Sequence, residues 1–383
     1  MSFLPFALPD ISELEINEVV QALRSGWVTT GPKTKQFESD FESFLNSNVT
    51  ALAVNSATSG LHLALEAVGV TVGDEVIVPS YTFTATAEIV RYLGATPIIV
   101  DVDPDTFNIT LANIIPSVNE RTKAIIPVHF AGLPCDMQPI IDFAHSKGIK
   151  VIEDAAHALP AKYNGQLIGT LDSDVTVFSF YANKTMTTGE GGMLVSRDQS
   201  IIERCKIMRL HGINRDAFDR YQSTKPAWHY EIVAPGFKYN MPDICAAIGL
   251  QQLKRLPDFH EKRCSLAKYF FDKLKCLPLI LPPYETISAH AWHLFPVRLM
   301  EGCNITRDEF INKMSDLGIG CSVHFIPLHT HPYWKGEYDL KSESFPVTNN
   351  LFKNEVSIPL YTKMSFNDAD RVVAAIETVL QVK

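Results

Sequence analysis

The sequence lacks the cysteine pattern of a zinc site or of a disulfide framework. Its seven cysteines are odd in number and dispersed along 383 residues, and no two of them are spaced as CxxC. Structural zinc sites use closely spaced ligand pairs, and disulfide frameworks occur mainly in short secreted chains. We therefore expect no metal site, reduced thiols and a cytoplasmic protein.

Long apolar runs and an excess of basic residues are also missing. The apolar run at 124–133 is broken by Pro127 and His129, whereas a membrane helix needs roughly 20 apolar residues. The N-terminal residues have neither the basic region nor the apolar stretch of a secretory signal. With 34 Lys and Arg against 43 Asp and Glu, the net charge is −9, which repels nucleic-acid phosphates. We expect neither a membrane nor a nucleic-acid partner.

Short apolar runs alternate with amphipathic stretches of helical length between about residues 50 and 180. The runs lie at 51–54, 75–78, 97–102, 124–128, 150–152 and 175–178, and the stretches at 59–68, 84–93 and 136–147. This alternation predicts an α/β fold with a parallel sheet covered by helices. Such sheets bind ligands beyond the carboxyl ends of their strands, so the polar residues that follow each run are the candidate site residues.

The second half of the sequence has a different pattern. Helices are predicted at 200–210 and 243–274, the second broken near Pro257, because proline removes a helical hydrogen bond. Beyond residue 282 the predicted elements are a strand at 293–298, a helix at 307–317, a strand near 321–325 and a helix at 367–380. We expect a large domain at 1–255 and a smaller one at 256–383.

Two polar residues at strand ends suggest covalent chemistry. In VIEDAAH (151–157) an apolar strand ends at Asp154, and in VFSFYANKTMTTGEGG (177–192) another is followed by Lys184. A lysine at the end of a buried strand loses part of its hydration, which lowers its pKa towards that of a usable amine nucleophile. Such a lysine can form a Schiff base with a carbonyl.

Pyridoxal phosphate (PLP) would supply that carbonyl and explain the neighbouring residues. Its pyridine nitrogen needs a carboxylate such as Asp154. Its phosphate needs the N–H groups and hydroxyls that NSATSG (55–60) provides at a helix start. Tyr81 or Phe83 can cover the ring. Each feature alone has an ordinary structural explanation, but their order at successive strand ends favours a cofactor site.

Several blocks of the sequence resemble the sugar aminotransferases of the DegT/DnrJ/EryC1/StrS family. They include SGWVTTGPKTKQFE, NSATSGLHLAL, GDEVIVPSYTF, VIEDAAHA, FSFYANKTMTTGEGGM, PGFKYNMPDICAAIGLQQL and SVHFIPLHTHPYW. The resemblance implies a fold-type I PLP enzyme: a large domain with a mainly parallel seven-stranded sheet, and a smaller C-terminal α+β domain. FLPF, HGINRDAFDR and HAWHLF are similar to the branch that makes UDP-4-amino-4-deoxy-L-arabinose and to enzymes acting on UDP-4-keto-6-deoxy-hexosamines.

The resemblance also implies residue roles. Lys184 would bind the cofactor and move the proton, Asp154 would pair with the pyridine nitrogen, and Phe83 would lie over the ring. The phosphate would be held by Ser56, Ala57, Thr58 and Ser179, with Asn240 from the neighbouring subunit of a homodimer. The sugar-nucleotide cleft would be lined by Tyr181, His211, Lys238, Tyr239, His324 and His329.

Two positions depart from the family pattern. His157 stands where many members have glutamine near the cofactor's 3′-oxygen, and it can still donate a hydrogen bond. Tyr181 stands where the arabinose-branch enzymes have histidine. Because both substrates are anions, we expect positive potential in the cleft from Lys184, Lys238, the histidines and helix N-termini. The apolar stretch at 244–256 suits a dimer interface or packing within one subunit.

The implied reaction is the transfer of an amino group from L-glutamate to the 4-keto group of a UDP-linked sugar, leaving 2-oxoglutarate. The product would be a 4-amino-4-deoxy or 4-amino-4,6-dideoxy sugar for surface polysaccharide, lipopolysaccharide or glycan biosynthesis. The alternatives are a PLP-dependent sugar dehydratase, in which histidine replaces the lysine, and a 3-keto-sugar aminotransferase. A non-enzymatic regulatory role on DNA is disfavoured by the −9 charge.

Overall fold

The computed structural model of the protein describes residues 2–214, 229–286 and 289–381. Residues 215–220 of the HGINRDAFDR block therefore lie outside the described residues. The elements of the first half are, in chain order, α1 (Glu13–Arg24), α2 (Pro32–Leu45), β1 (Thr50–Val54), α3 (Ala57–Ala67), β2 (Glu75–Pro79), α4 (Ala85–Tyr92), β3 (Thr96–Val100), α5 (Leu111–Ile114), β4 (Thr122–Ile125), α6 (Met137–Ser146), β5 (Lys150–Asp154), β6 (Lys162–Tyr163), β7 (Gln166–Leu167), β8 (Val175–Ser179), β9 (Gly192–Ser196) and α7 (Gln199–Met208).

A seven-stranded sheet with the order β1-β9-β8-β5-β4-β2-β3 forms the centre of this half. The pairs from β8 through β3 are parallel, and β9 is antiparallel to both of its neighbours. All five residues of β2 are buried, as expected where helices cover both faces of a sheet. Side chains alternate between these faces, so Ile77 packs in one core cluster and Val76 and Val78 in the other. The α/β prediction is confirmed.

The second half begins with one long helix, α8 (Asp243–Leu274), which continues through Pro257. The predicted break is therefore wrong. Leu250 and Leu256 of this helix pack in the cluster that contains Ile77, which we call the first core. Phe270 and Leu274 pack in a separate cluster built from residues outside the seven-stranded sheet, which we call the second core. Burial along so many turns offsets the one hydrogen bond that proline removes. The division at residue 255 stays a prediction, and it falls inside this helix.

The remaining elements are β10 (Leu279–Ile280), β11 (Phe295–Leu299), α9 (Arg307–Asp316), α10 (Pro332–Tyr338), α11 (Pro346–Asn354), β12 (Glu355–Ile358) and α12 (Phe366–Leu380). Most of them pack in the second core, whereas Trp334 of α10 packs with residues of the seven-stranded sheet and Leu351 of α11 packs in a small cluster with Tyr81 and Phe107. A three-stranded antiparallel sheet has β11 between β10 and β12. The strand predicted near 321–325 is wrong, because this segment makes one isolated bridge, from Ser322 to Ser357.

The N-terminal segment, which the predicted division includes in the large domain, also contributes to the second core. Leu4 packs there, and its backbone exchanges 2.8 Å hydrogen bonds with Gly318 and Gly320. Where the chain reaches α1, a capping box between Ser12 and Glu15 starts the helix. Within the described ranges, no helix combines the length and apolar character needed to cross a bilayer.

Candidate active site

A cleft of about 530 Å³ opens at the carboxyl ends of β1, β2, β5 and β8. The structure brings together there most of the residues predicted from the sequence. They are Ser56, Ala57, Thr58, Phe83, Asp154, His157, Ser179, Tyr181, Lys184 and His324. These residues converge because the strands that they follow are parallel, so the carboxyl ends of those strands lie at the same edge of the sheet.

Asp154 is the last residue of β5 and is buried in the cleft floor. Its Oδ2 accepts a 2.8 Å hydrogen bond from Thr86 Oγ1, and its Oδ1 accepts one of 3.2 Å from the N–H of Ala156. Burial raises the pKa of Asp154, although these hydrogen bonds and Lys184 lower it. A buried carboxyl held in this way is suited to pair with a cationic ring nitrogen.

Lys184 lies in the loop after β8, where the backbone is fixed from several sides. Its own N–H donates to the carbonyl of Tyr181 over 3.0 Å, and the next residue, Thr185, donates from Oγ1 to the carbonyl of Leu159 over 2.6 Å. Burial lowers the pKa of Lys184 to about 8, while Asp154 acts in the opposite direction. The amine can therefore exchange protons near neutral pH.

The N-terminus of α3 forms an anion site on one wall of the cleft. Ser56 caps the helix by accepting from the N–H of Ser59 over 3.1 Å. The N–H groups of Ala57 and Thr58 belong to the first turn and have no helical carbonyl to bind. Gly192 allows β9 to approach closely, because a Cβ there would lie 2.8 Å from the nitrogen of Ala57.

The cleft histidines are neutral. Burial, with a contribution from nearby Lys184, lowers the pKa of His157 and His293 well below the ordinary value and that of His324 to about 4. His157 accepts at Nδ1 from the N–H of Ala131 over 3.2 Å, so its single proton is on Nε2. Its ring lies 4.3 Å from that of His293, a cleft residue that the sequence analysis missed within HAWHLF.

The expected positive potential from these histidines is therefore wrong. Among the described residues that line the cleft, the charged side chains are positive Lys184 and negative Asp154 and Glu190. Desolvation disfavours additional charge on the imidazoles. Within one subunit, the groups that remain to bind an anion are the helix N-terminus and neutral hydrogen-bond donors.

The two aromatic candidates after β2 lie in different places. Phe83 is 59% exposed at the cleft, with its ring 6.0 Å from that of Phe325. Tyr81 is buried against Phe107 and Phe130, with ring centroids 5.2 and 5.5 Å away. The expectation that Tyr81 could reach a ring in the cleft is wrong, because its side chain points into the core.

Five predicted residues do not line this cleft. His329 does not line the substrate cleft as predicted, because it is buried. Its ring nitrogens bond Ser80 Oγ over 2.7 Å and Asn349 Oδ1 over 2.9 Å, so no nitrogen is left for a substrate. Tyr239 bonds His62 over 3.1 Å. His211 is exposed with a positive φ of 58°.

Lys238 and Asn240 are the other two of the five. They lie beside the N-terminus of α3, and their side chains do not face it. Their side chains bond each other, and Asn240 Nδ2 donates to Thr30 Oγ1 over 2.5 Å. Their backbone neighbour Tyr239 accepts a 2.8 Å hydrogen bond from the N–H of Asn55, at the end of β1. The segment therefore borders the cleft, with both side chains directed elsewhere.

The helical stretch at 244–256 packs within the subunit. Ala246, Leu250, Leu253 and Leu256 are buried in the first core, and Ala247 is buried as well. Of the two interpretations that the sequence left open, packing within one subunit is the one observed for these residues.

The residues present fit PLP. The cleft holds an amine for the aldehyde, a buried carboxyl for the pyridine nitrogen and a helix N-terminus for the phosphate. Asn183 Oδ1, beside Lys184 in the same wall, is buried and has no partner among the described residues. Within those residues there is also no group of three or more side chains arranged to hold a metal ion.

Comparisons with known proteins agree with this chemistry. The model of the DegT/DnrJ/EryC1/StrS aminotransferase family matches residues 9–377. The spore coat polysaccharide biosynthesis protein SpsC of Bacillus subtilis is 42% identical, over 99% of this chain and 97% of that protein. The UDP-4-amino-4-deoxy-L-arabinose–oxoglutarate aminotransferase of Shewanella sediminis is 41% identical, over 99% of this chain and 98% of that protein.

Solved structures are similar along the whole chain. Spr1654 of Streptococcus pneumoniae, described as a candidate sugar aminotransferase, superposes in its PMP form with a TM-score of 0.91 at 34% identity, covering 99% of both chains. Its PLP form superposes with a TM-score of 0.90. The similarity therefore covers the elements of both cores and the residues that line the cleft.

Proposed function

Since the chain belongs to the DegT/DnrJ/EryC1/StrS aminotransferase family and is a PLP-dependent sugar aminotransferase, we propose that it transfers the amino group of L-glutamate to the 4-keto group of a UDP-linked sugar. The product is a 4-amino-4-deoxy or 4-amino-4,6-dideoxy sugar for a surface polysaccharide, lipopolysaccharide or glycan. The observation that carries the proposal is that Lys184, Asp154 and the N-terminus of α3 face one cleft. The relative from Shewanella sediminis supports the choice of sugar and donor.

When bound, PLP supplies an aldehyde that takes up the amino group and a ring that withdraws electrons from the reacting carbon. Asp154 would hold a proton on the ring nitrogen. Lys184 accepts a proton at Nζ from the donor's α-carbon and returns one to the sugar carbon, a task suited to an amine whose pKa is about 8. His157 would donate from Nε2 to an oxygen of the cofactor. The N–H groups of Ala57 and Thr58, with Ser179, would hold the phosphate.

The proposed working unit is a homodimer in which each subunit completes the site of the other with Asn240. The position of this residue supports the proposal, since its segment borders the cleft while its side chain is directed away from it. Lys238 would then bring a positive charge to the partner's substrate. Leu14, Leu23 and Val28, which are all about half exposed, offer apolar surface for the contact.

Mixing two variants tests the shared site. Lys184→Ala and Asn240→Leu should each be inactive or nearly so. If Asn240 acts across the interface, each heterodimer regains one of its two sites, which then has both native residues. A randomly mixed population, in which half of the dimers are heterodimers, therefore regains about one quarter of all sites. If Asn240 serves its own subunit, mixing restores nothing.

A substrate panel tests the reaction. The PLP-loaded protein is incubated with L-glutamate and 4-keto sugars linked to UDP or thymidine diphosphate, and the amino sugar and 2-oxoglutarate are measured by mass spectrometry. Lys184→Ala is the matched inactive control. Amination of a 3-keto sugar alone, or loss of a hydroxyl without amination, would instead establish one of the alternatives.

We also propose that the protein works in the cytoplasm. None of the seven cysteines forms a disulfide in the structure, as expected of a chain kept in a reducing compartment. Its presence in the soluble cytosolic fraction of its source cells is the expected result.

A further inference from the structure

A hydrogen-bonded chain runs from a buried carboxyl of β12 to the cleft. Ser357 Oγ lies 2.6 Å from Glu355 Oε1 and 3.0 Å from His324 Nδ1. The other carboxyl oxygen, Oε2, accepts from the backbone N–H of His324 over 3.2 Å. Glu355 and Ser357 are fully buried, whereas His324 lines the cleft. The ring of His324 stacks on Phe6 at 5.2 Å, which fixes its plane.

Hydrogen-bond directions along this chain are limited to two arrangements. An ionised carboxyl only accepts, so Ser357 must donate to Glu355 and accept from His324 Nδ1–H, which leaves His324 Nε2 without a proton. A protonated Glu355 carries its proton on Oε1, because Oε2 already accepts from a backbone N–H. It then donates to Ser357, Ser357 donates to His324 Nδ1, and the ring proton is on Nε2.

We propose that Glu355, acting through Ser357, decides whether the second ring nitrogen of His324 donates or accepts a hydrogen bond in the cleft. Glu355 and Ser357 are positioning residues, since neither contacts the cleft itself. Passage from the protonated to the ionised arrangement shifts three protons along the chain: Nε2–H leaves for a cleft acceptor, the Ser357 proton passes to His324 Nδ1, and the Glu355 proton passes to Ser357. The imidazole has one ring proton before and after the shift.

The protonated arrangement is favoured at neutral pH. Burial raises the pKa of Glu355 to about 8, against the Ser357 and His324 hydrogen bonds and Arg307, which lower it. Because burial also lowers the pKa of His324 to about 4, the ring stays neutral throughout this range. His324 therefore presents Nε2–H to the cleft and is suited to an acceptor oxygen of a substrate, such as a carbonyl or phosphoryl oxygen.

The titratable neighbours of this chain come from several elements. Arg307 at the start of α9, Tyr81 after β2 and Cys321 act on or respond to Glu355. Lys184, His157 and His293 surround His324 on the cleft side. Burial lowers the pKa of Lys184 into the same range as that of Glu355, so the test must separate these two groups.

The ring protonation of His324 can be measured directly. The PLP-loaded protein is prepared with ring-15N histidine, and solid-state NMR spectra are recorded from about pH 6 to about pH 10. The His324 signals are identified as those absent from His324→Asn. We expect wild-type Nε2 to be protonated at low pH and to lose its proton to Nδ1 as pH rises through about 8.

Two variants define the role of the relay. In Glu355→Gln the amide oxygen takes the backbone N–H of His324 and the NH₂ group faces Ser357, so Nε2 should stay protonated at every pH. Ser357→Ala keeps the carboxyl but removes the bridge, so the proton position should no longer follow Glu355. Lys184→Met should retain the wild-type change, because the proposal assigns it to Glu355 and not to the lysine.

Several outcomes would overturn the proposal. They are a wild-type ring whose proton stays on one nitrogen across the pH range, the same change in Glu355→Gln or Ser357→Ala as in wild type, and loss of the change in Lys184→Met. If Glu355→Gln does not fold, Ser357→Ala alone decides.

A kinetic measurement adds a functional readout that rests on the proposed function. KM for the keto sugar should rise roughly 2- to 10-fold above about pH 8 in wild type, the range expected for one neutral hydrogen bond, with kcat changing less. Glu355→Gln should remove this rise. Failure of the sugar assay with a correct NMR result would count against the substrate and not against the relay.

Discussion

Thr86 donates a hydrogen bond of 2.8 Å from Oγ1 to Oδ2 of Asp154, from the first turn of α4 to the end of β5. Thr82 Oγ1 lies 2.9 Å from the same threonine hydroxyl. The bond holds a buried carboxyl in one orientation and lowers its pKa, which burial would otherwise raise further. Thr86 therefore supports the charged form of the residue that must pair with the cofactor.

Removing this support should weaken the enzyme without abolishing it. We expect Thr86→Val to lower kcat by roughly 10-fold, about the worth of one hydrogen bond to a charged group, and Asp154→Asn to lower it by at least about 100-fold. Thr86→Ser, which keeps the hydroxyl, should stay near wild type. Steady-state kinetics together with the pH titration of the cofactor absorbance measure the effect. Equal losses in Thr86→Val and Thr86→Ser would show that packing matters here and the hydroxyl does not.

Loss of the cleft amine should stop turnover. Lys184→Ala removes the group that moves the proton, so kcat should fall by about 10⁴-fold, and borohydride should no longer fix PLP to the chain. Lys162→Ala, at an exposed lysine of β6, is the control and should be unchanged. Wild-type turnover by Lys184→Ala would end the proposed mechanism.

A methyl group at Gly192 should disturb the N-terminus of α3, the proposed binding site of the cofactor phosphate. Its Cβ would lie 2.8 Å from the nitrogen of Ala57 and 2.8 Å from the carbonyl oxygen of Phe178, and these backbone atoms cannot move independently. We expect Gly192→Ala to lower the free energy of unfolding by about 1–3 kcal/mol and to weaken PLP binding. Both quantities are measured by urea denaturation and by fluorescence titration with the cofactor.

The control for this substitution is Gly336→Ala. Gly336 lies within α10, and nothing lies within 4 Å of an added Cβ. The substitution should raise the free energy of unfolding by up to about 1 kcal/mol through helix propensity. A Gly192→Ala protein as stable as wild type, with the same PLP affinity, would show that β9 can shift away from α3.

Buried Glu355 should make stability depend on pH. Its folded-state pKa of about 8 lies above the ordinary value of 4.5, so its contribution is fully present below about pH 4.5 and is lost as pH rises through about 8. The free energy of unfolding should fall by at most roughly 1.4 kcal/mol per pH unit in that window because of this residue. Urea titrations of wild type and Glu355→Gln give the difference.

The matched control replaces an exposed glutamate. Glu343→Gln, on the surface, should follow the wild-type pH dependence. A Glu355→Gln protein whose stability changes with pH as steeply as wild type would show that other groups dominate the titration.

The strand ends were predictable because apolar β-branched runs and parallel topology follow from local pattern. The residues after β1, β5 and β8 had to meet at one edge, and the cleft contains Thr58, Asp154 and Lys184 as expected. The sequence could not separate Tyr81 from Phe83, because both follow the same strand and packing decides which one faces the cleft.

The errors lie where tertiary contacts override local signals. β12 alternates polar Glu355 and Ser357 with apolar residues over only four positions, and all four are buried, which its polar residues do not predict. The segment at 321–325 has a strand-like sequence but makes one bridge. Pro257 suggested a helix end, yet burial on both sides keeps α8 continuous. His329 matched a substrate position, but Ser80 and Asn349, distant in sequence, occupy its nitrogens.

The continuity of α8 has a consequence for folding cooperativity. Its first turns are part of one hydrophobic core and its last turns part of the other, so neither core can melt without exposing a helix that the other still holds. We expect a single unfolding transition, with the same midpoint for probes in either half. A fragment ending at residue 255 would cut this helix before Leu256, the last of its residues in the first core, and we expect neither piece to refold alone.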